Sequence, residues 1–407
     1  MALKPATILQ IIPDLDTGGA ERTTVEIAEA VTEAGGRALV LSRGGRLEAD
    51  LAAAGGELIR FPAATKNPLR MIANARAITR IVAREGVDLV HARSRAPAWS
   101  ALLAARRTRR PFVTTYHGAY NETNAAKRAY NSVMARGDVV IANSRYTAGL
   151  VAARYDTPQE RLRVIYRGVD GAAFDPERIA DERIAALSRA WRLAPGDKVV
   201  LHAARLTGWK GQGVVIEAAR LMRERGTLGH AVVILAGDAQ GREAYRAGLE
   251  QAIEAGGLVG RVRLVGHVAD MAAAFRLAHV AVVASTEPEA FGRTATEAEA
   301  MGCPVIATRL GAPPETVLAT PGTAPEAATG WLVAPGDATA LAGALEAALA
   351  LAPDAHRQMG QRARAHVLGS FSLDAMKRQT LAVYDELLGT GLAEALDRAR
   401  AARRAGG

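Results

Sequence analysis

The stretch "HVAVVASTEPEAFGRTATEAEAMGCPVIAT", residues 279–308, decides the fold. "HVAVVAS" is a valine-rich apolar run of strand length, and "CPVIAT" at the other end is a second. Between them "RTATEAEAMG" has the composition of a helix that stops at Gly302, a residue suited to a helix end. Strand, helix and strand in so short a span form a βαβ unit with parallel strands. Apolar runs without polar alternation fit strands buried on both faces.

The pattern repeats outward. "KVVLHAA", "AVVILAG" and "VRLVGH" precede the opening stretch and "GWLVA" follows it. An earlier series reads "ATILQIIP", "RALVLS", "VDLVHA", "PFVTTYH" and "DVVIANS". Two such series predict an α/β protein of two Rossmann-like, doubly wound domains, and 407 residues exceed one comfortable core. The turn-rich, charged segment between the series puts the boundary near residues 170–195. The expected division is residues 1–175, residues 190–370, and a C-terminal helix with a basic tail over 371–407 that packs back on the first domain.

Composition narrows the class. Hydrophobic content of 49% without low-complexity blocks fits a folded globular protein. The apolar stretch near the start is too short for a signal peptide or spanning helix, so a cytoplasmic protein is expected. Cys303 is the single cysteine, which excludes an internal disulfide and a cysteine-cluster metal site and fits a small core residue. Residues 1–170 hold 25 Lys and Arg against 16 Asp and Glu, and the remainder balances at 26 each. Twelve of those cations fall between Arg60 and Arg110, against Glu85 and Asp88 alone. Such a field attracts phosphates or an anionic membrane surface, unless it is simply a solvated face. No aromatic interleaving, zinc spacing or nucleic-acid module accompanies it, which argues against nucleic acid.

In open parallel sheets ligands sit beyond the carboxyl ends of the strands, so the cleft between the domains is the expected site. After the first strand, Gly18 and Gly19 open a helix whose free amides suit an anion, although an ordinary strand-to-helix turn reads the same way. Asp14 and Asp16 make a D-x-D triplet of a kind that holds metals but also arises by chance. His117-Gly118, at the mouth of a strand, suits a sugar hydroxyl contact, proton exchange or a structural role. Arg205 and Lys210 stand at the next domain's first strand-to-helix junction, where two cations suit a diphosphate. Walker A and G-x-G-x-x-G fingerprints are absent there, which weighs against nucleotide triphosphate and NAD sites. In the opening stretch, Glu289 lies in the loop and Glu297 inside the helix, on either side of the amides of Gly292, Arg293 and Thr294. Amides for a phosphate and carboxylates for vicinal hydroxyls suit a nucleotide-sugar. Glu287 and Glu299 are expected at the rim and in solvent.

These residues resemble the retaining family 4 glycosyltransferases of the two-Rossmann GT-B architecture. "GGAE", "YHG", "IANS", "RGVD", "HAARLTGWKGQ", "LAGD", "LVGHV" and "PEAFGRTATEAEAMGCPVIAT" follow that family's order over nearly the whole chain. Its most specific element is E-x-F-G-x-x-x-x-E-A, from Glu289 to Ala298. "HAARL" replaces the frequent G-R-L form.

The resemblance implies a nucleotide-diphosphate sugar donor whose diphosphate is held by Arg205 and Lys210, the main catalytic electrostatics. It implies that Glu297 binds the ribose and Glu289 the transferred sugar, with amides from Phe291 to Thr294 assisting. His117 would face the reacting centre, Gly18 and Gly19 would close over phosphates or acceptor, and the loop at Gly266 and His267 would receive the base. No metal is expected, and no residue is assigned as nucleophile. The expected acceptor is a glycan or lipid-linked hydroxyl in lipopolysaccharide or other cell-envelope polysaccharide synthesis. The basic stretch would meet the anionic membrane, with Arg398–Arg404 adding to it or fraying. The alternatives are a nucleotide-sugar epimerase or hydrolase on the same fold, and a non-catalytic sugar-nucleotide-binding partner.

Overall fold

The computed structural model describes residues 5–16, 18–118, 120 and 122–405, with the side chain of Arg404 left out. The first four residues of the amino-terminal stretch, Thr17 before the glycine pair, and the last two residues of the tail lie outside these. The chain divides into two compact units, Met1–Gly168 with Asp374–Gly407, and Val169–Leu373.

Among the described residues unit 1 carries seven strands: β1 (Thr7–Ile11), β2 (Arg37–Ser42), β3 (Glu57–Arg60), β4 (Leu89–Ala92), β5 (Phe112–Tyr116), β6 (Val139–Ala142) and β7 (Leu162–Val164). Their order is β3-β2-β1-β4-β5-β6-β7, and every pairing is parallel. β3 and β7 lie beyond the five runs legible in the sequence. They are edge strands of four and three residues, and the "ELIR" of β3 has exposed ends, so neither needs a continuous apolar run.

Unit 2 carries six: β8 (Lys198–Ala203), β9 (Ala231–Ala236), β10 (Val262–Gly266), β11 (Ala278–Val283), β12 (Val305–Thr308) and β13 (Gly330–Val333), in the order β10-β9-β8-β11-β12-β13. Neighbouring residues of one strand enter opposite cores. Val200, Val233 and Val282 join one cluster, while Val199, Val232 and Val283 join the other. This is the two-fold pleat of a sheet with helices on both faces, each such side chain contributing about 1.5–3 kcal/mol of burial. Cys303 belongs to the second cluster, where burial pushes its thiol up to about 12.

The C-terminal residues are tied into unit 1. In helix Leu373–Leu388, Lys377 pairs with Glu29 at 2.5 Å. In helix Leu392–Ala405, Arg400 reaches Glu33 at 3.1 Å and Asp374 at 2.7 Å, and Arg403 reaches Glu33 at 2.6 Å. These arginines pin the tail to helix Gly19–Glu33. Two of the twelve cations between Arg60 and Arg110 also turn inward: Arg93 is buried, and Arg95 lies with its guanidinium carbon 3.9 Å from the Tyr120 ring centre.

Candidate active site

β8 and β11 are neighbours at the point where strand order reverses, the usual ligand position in such sheets. The turn Gly208–Lys210 after β8 is held against the segment after β11 by Thr286, whose amide donates to the Trp209 carbonyl at 2.7 Å. Gly211 packs on the Ala284 carbonyl with φ +78°, an approach and a conformation that exclude a Cβ. Buried Gln212 donates to the Arg205 carbonyl at 2.9 Å and accepts from Tyr245 at 3.0 Å, fixing the backbone that carries the exposed Arg205 side chain.

This arrangement brings Lys210 to Glu289. The ammonium donates to Glu289 Oε1, which also accepts from Ser285 Oγ at 2.6 Å, and Lys210 Nζ sits 4.2 Å from the Trp209 ring centre. The two charged side chains are 18% and 10% exposed, so their attraction is only partly screened. On its other side Glu289 is fixed through its backbone: Ala312 donates to its carbonyl at 2.9 Å, and Gly311 at φ +84° leaves no room for a side chain against it. Beneath the pair, His202 in β8 donates from Nδ1 to the Val282 carbonyl at 2.9 Å, and burial pushes its pKa down to about 4.

Gly292, at φ +86°, caps helix Arg293–Ala300, whose first amides have no intrahelical acceptors. Thr294 Oγ1 donates to the Ala203 carbonyl at 3.3 Å, which brings this helix start to the end of β8. Arg293 Nε donates to Glu297 Oε1 at 3.1 Å, an i,i+4 pair on one helix face. Phe291 is buried, its ring 5.8 Å from that of Phe371, so only its backbone can serve a ligand.

The expectation for Glu299 is corrected. Its side chain is fully buried, accepts from Thr329 Oγ1 at 2.7 Å, and is raised well above the ordinary carboxyl range by desolvation. Two residues past Glu297 on a helix of 100° per residue, it faces the sheet. Glu287 is exposed, as expected.

Gly266 ends β10, an edge strand two places from β8, and His267 follows it. Gly266, at φ +72°, accepts from the Gly237 amide at 2.8 Å. The exposed His267 lines a hollow of about 640 Å³ with Trp191, Arg263 and Asp270.

In unit 1 the ends of β1, β4 and β5 carry a second group. Gly18 is the extended N-cap of helix Gly19–Glu33. A Cβ on Gly19 would collide with the Arg167 guanidinium, which also meets His117 Nδ1 from Nη2 at 3.0 Å. Burial first, then Arg167 and Arg93, hold the His117 pKa well below its ordinary value. Asp14 takes two bonds from Arg43, at 2.8 and 2.9 Å, so that carboxylate of the D-x-D triplet is already engaged. Ser285, Trp209, His202 and Arg167 escaped the sequence reading as site residues. Each sits inside a quoted motif or at its edge, and its role appears only once the fold has set its contacts, near in sequence for Ser285 and Trp209 and distant for His202 and Arg167.

Residues 17–172 match Glycosyltransferase Family 4, and residues 184–366 match Glycosyl transferases group 1. D-inositol 3-phosphate glycosyltransferase of Streptomyces scabiei is 31% identical over 315 residues, 73% of this chain and 67% of its own length. The enzyme of that name from Salinispora tropica is 31% identical over 313 residues, 74% of this chain but only 60% of its own. Among solved structures, a glycosyltransferase from Rickettsia africae superposes with a TM-score of 0.86 at 33% identity, covering 95% of this chain and all of that one. Anabaena HepE, solved with UDP-glucose, superposes with a TM-score of 0.79 at 25% identity over 94% of this chain and all of its own. The two Rossmann-like units, matched in order along the chain, make this protein a member of the family 4, group 1 glycosyltransferases of GT-B architecture.

Proposed function

We propose that the protein transfers a hexosyl group from a nucleotide-diphosphate sugar to a hydroxyl, with retention of anomeric configuration. The observation that carries this reading is the Lys210–Glu289 pair at the strand reversal, beside Arg205 and the helix start at Gly292. Arg205 and Lys210 hold the diphosphate and stabilise the charge that develops as the nucleotide leaves. Amides from Gly292 to Thr294 hydrogen-bond a phosphoryl oxygen, Glu297 binds the ribose hydroxyls, and Glu289 accepts from hydroxyls of the transferred sugar. Gly266 and His267 receive the base, while Gly18, Gly19 and His117 serve the phosphates or the reacting sugar from unit 1. The two cations supply the charge that a metal would otherwise bring, so EDTA leaves turnover unchanged.

HepE with UDP-glucose supports UDP as the first nucleotide to try. In thermal unfolding with UDP, GDP and ADP, a bound nucleotide at a hundred times its dissociation constant stabilises by about 2.7 kcal/mol. No shift with any of them, and no nucleoside diphosphate released from the corresponding sugars, refutes the assignment.

For the acceptor we propose a glycan or lipid-linked hydroxyl of the cell envelope, met in the cytoplasm at the inner membrane. Leu69 is 77% exposed and Ile72 42% exposed on helix Pro68–Arg84, one turn from each other and in line with exposed Arg76 and Arg80. Apolar anchors among cations suit an anionic bilayer. Co-sedimentation with anionic vesicles at low salt tests this, and absence of binding removes it. The relatives named for inositol 3-phosphate favour a second acceptor, a cyclitol phosphate. Transfer to inositol 3-phosphate without any to lipid-linked glycans would select it.

A further inference from the structure

His117 is available for two opposite uses, as a base that takes a proton from a substrate hydroxyl or as a donor to a substrate oxygen. Its hydrogen bond with Arg167 separates them. A guanidinium carries N–H donors and no acceptor, and it stays protonated in proteins. At 3.0 Å, Arg167 Nη2 therefore donates to His117 Nδ1, which must present its lone pair. The ring proton then resides on Nε2, an atom buried without a hydrogen-bond partner among the described residues. Protonating Nδ1 would set N–H against N–H and add a cation beside Arg167.

The surroundings reinforce this. Charged or titratable groups acting on the ring come from three places: Arg167 in the segment after β7, Arg93 just past the end of β4, and His91 within β4. His91 is itself fully buried between Tyr384 and Thr115. At the backbone, the His117 carbonyl accepts from Asn143 Nδ2 at 3.4 Å. Arg167 is in turn seated over Gly19, where a Cβ would meet its guanidinium. Gly19 thus leaves room for the arginine that orients the histidine.

We infer that Arg167 is a positioning residue that fixes His117 as the neutral Nε2–H tautomer, a hydrogen-bond donor and not a general base. The substrate atom it meets is an oxygen with a free lone pair, a sugar hydroxyl or a phosphoryl oxygen. The acceptor's proton must leave by another route, consistent with same-face attack in which the departing diphosphate takes it. This use of His117 rests on the glycosyl-transfer reading; the tautomer itself does not.

The test reads the ring directly in the full-length protein without substrate. Histidine is labelled with ¹³C and ¹⁵N, the His117 signal is assigned by its loss in His117→Gln, and ring shifts are followed between about pH 5 and 8. The expected result is one neutral Nε2–H form throughout. A wild-type His117 that titrates with a midpoint between about pH 6 and 7, or that carries its proton on Nδ1, overturns the inference. Arg167→Met should mix the two tautomers while the signals of the other seven histidines stay in place. A methionine variant that retains the single Nε2–H form shows that Arg167 does not fix it. Nucleotide binding plays no part in these outcomes, so failure of the transferase reading is recorded separately by unfolding with UDP, GDP and ADP.

Discussion

Replacing Lys210 by methionine keeps an unbranched side chain one atom shorter and removes the charge opposite Glu289. The carboxylate would then retain the Ser285 hydroxyl at 2.6 Å while staying 10% exposed. Removing one partner of a fully buried ion pair costs about 3–5 kcal/mol, because the other charge is left uncompensated. Lys210 is 18% exposed, so water recovers part of this and about 2–3 kcal/mol is expected. In a unit of roughly 200 residues that lowers the unfolding midpoint by about 4–12 °C. Glu289→Gln should cost a similar amount by stranding the ammonium. The double variant should be less destabilised than the two single losses added, by about 1–2 kcal/mol, since no charge is left behind. Turnover behaves differently. If the ammonium stabilises the leaving diphosphate, Lys210→Met loses about 10²–10³-fold, and adding Glu289→Gln restores none of it. The assays are urea unfolding followed by circular dichroism and release of nucleoside diphosphate from the best donor. Turnover within about threefold of wild type would refute the electrostatic role, and additive stability losses would refute the pairing.

Three other substitutions test the frame around the site. Gly211→Ala forces a Cβ into the Ala284 carbonyl at a φ of +78°, so a loss above about 2 kcal/mol is expected together with reduced turnover; an unchanged urea midpoint would contradict the packing. Glu299 is raised by burial, so folding must take up its proton above the ordinary carboxyl value of 4.5. Its contribution is fully present below that pH and is lost as pH rises toward the raised value, at up to about 1.4 kcal/mol per pH unit. Glu299→Gln should therefore gain stability over the wild type between about pH 5 and 8, as measured by urea unfolding, and parallel pH profiles for the two proteins would show the burial to be wrong. Tyr384→Phe deletes the 2.7 Å bond to His91 Nδ1 and should cost about 1–3 kcal/mol. Amide exchange in helix Leu373–Leu388 should accelerate, and unchanged protection there would show that the bond does not hold the helix.

Most of the fold is legible because eleven of the thirteen strands among the described residues are apolar runs. The two missed strands, β3 and β7, are edges that carry charged residues within four and three positions, Glu57 and Arg60 in one and Arg163 in the other, whereas the edges β10 and β13 keep longer or uncharged apolar runs. The site divides in the same way. Arg205, Lys210, Glu289 and Glu297 stand out because charge at a strand-to-helix junction conflicts with simple burial. Ser285, one residue past the last apolar position of that strand run, looks like an ordinary strand end, yet its hydroxyl shares Glu289 Oε1 with Lys210. Nothing local marks it, because Lys210, which shares that oxygen, comes from another loop. Glu299 shows the converse. Its charge suggests solvent, but helix phase and packing bury it, and a proton on the carboxyl makes that tolerable. Residue type at a motif position indicates chemistry, whereas the protonation state that decides its use depends on neighbours brought in by the fold.

Unit 1 carries this point furthest. Arg93 is 2% exposed and gives Nε and Nη2 to a single neutral oxygen, Gln10 Oε1, at 2.8 and 2.6 Å, with Nη1 at 3.4 Å from Thr115 Oγ1. Thr115 meets His91 Nε2 at 2.7 Å, and His91 Nδ1 meets the Tyr384 hydroxyl at the same distance. A buried guanidinium satisfied largely by neutral groups is a costly element of a core, and apolar residues of similar volume would be as stable or more so. Its value lies in selectivity of arrangement. Tyr384 can complete the chain of bonds only when helix Leu373–Leu388 returns to unit 1, and Arg93 bears electrostatically on His117 only when Gln10 and Thr115 hold it. The docking of the C-terminal helix and the Arg93 contribution to the low His117 pKa, which ranks after burial and Arg167, therefore share one buried polar network. A substitution at its far end, in Tyr384, should reach His117 through Arg93 without touching any ligand.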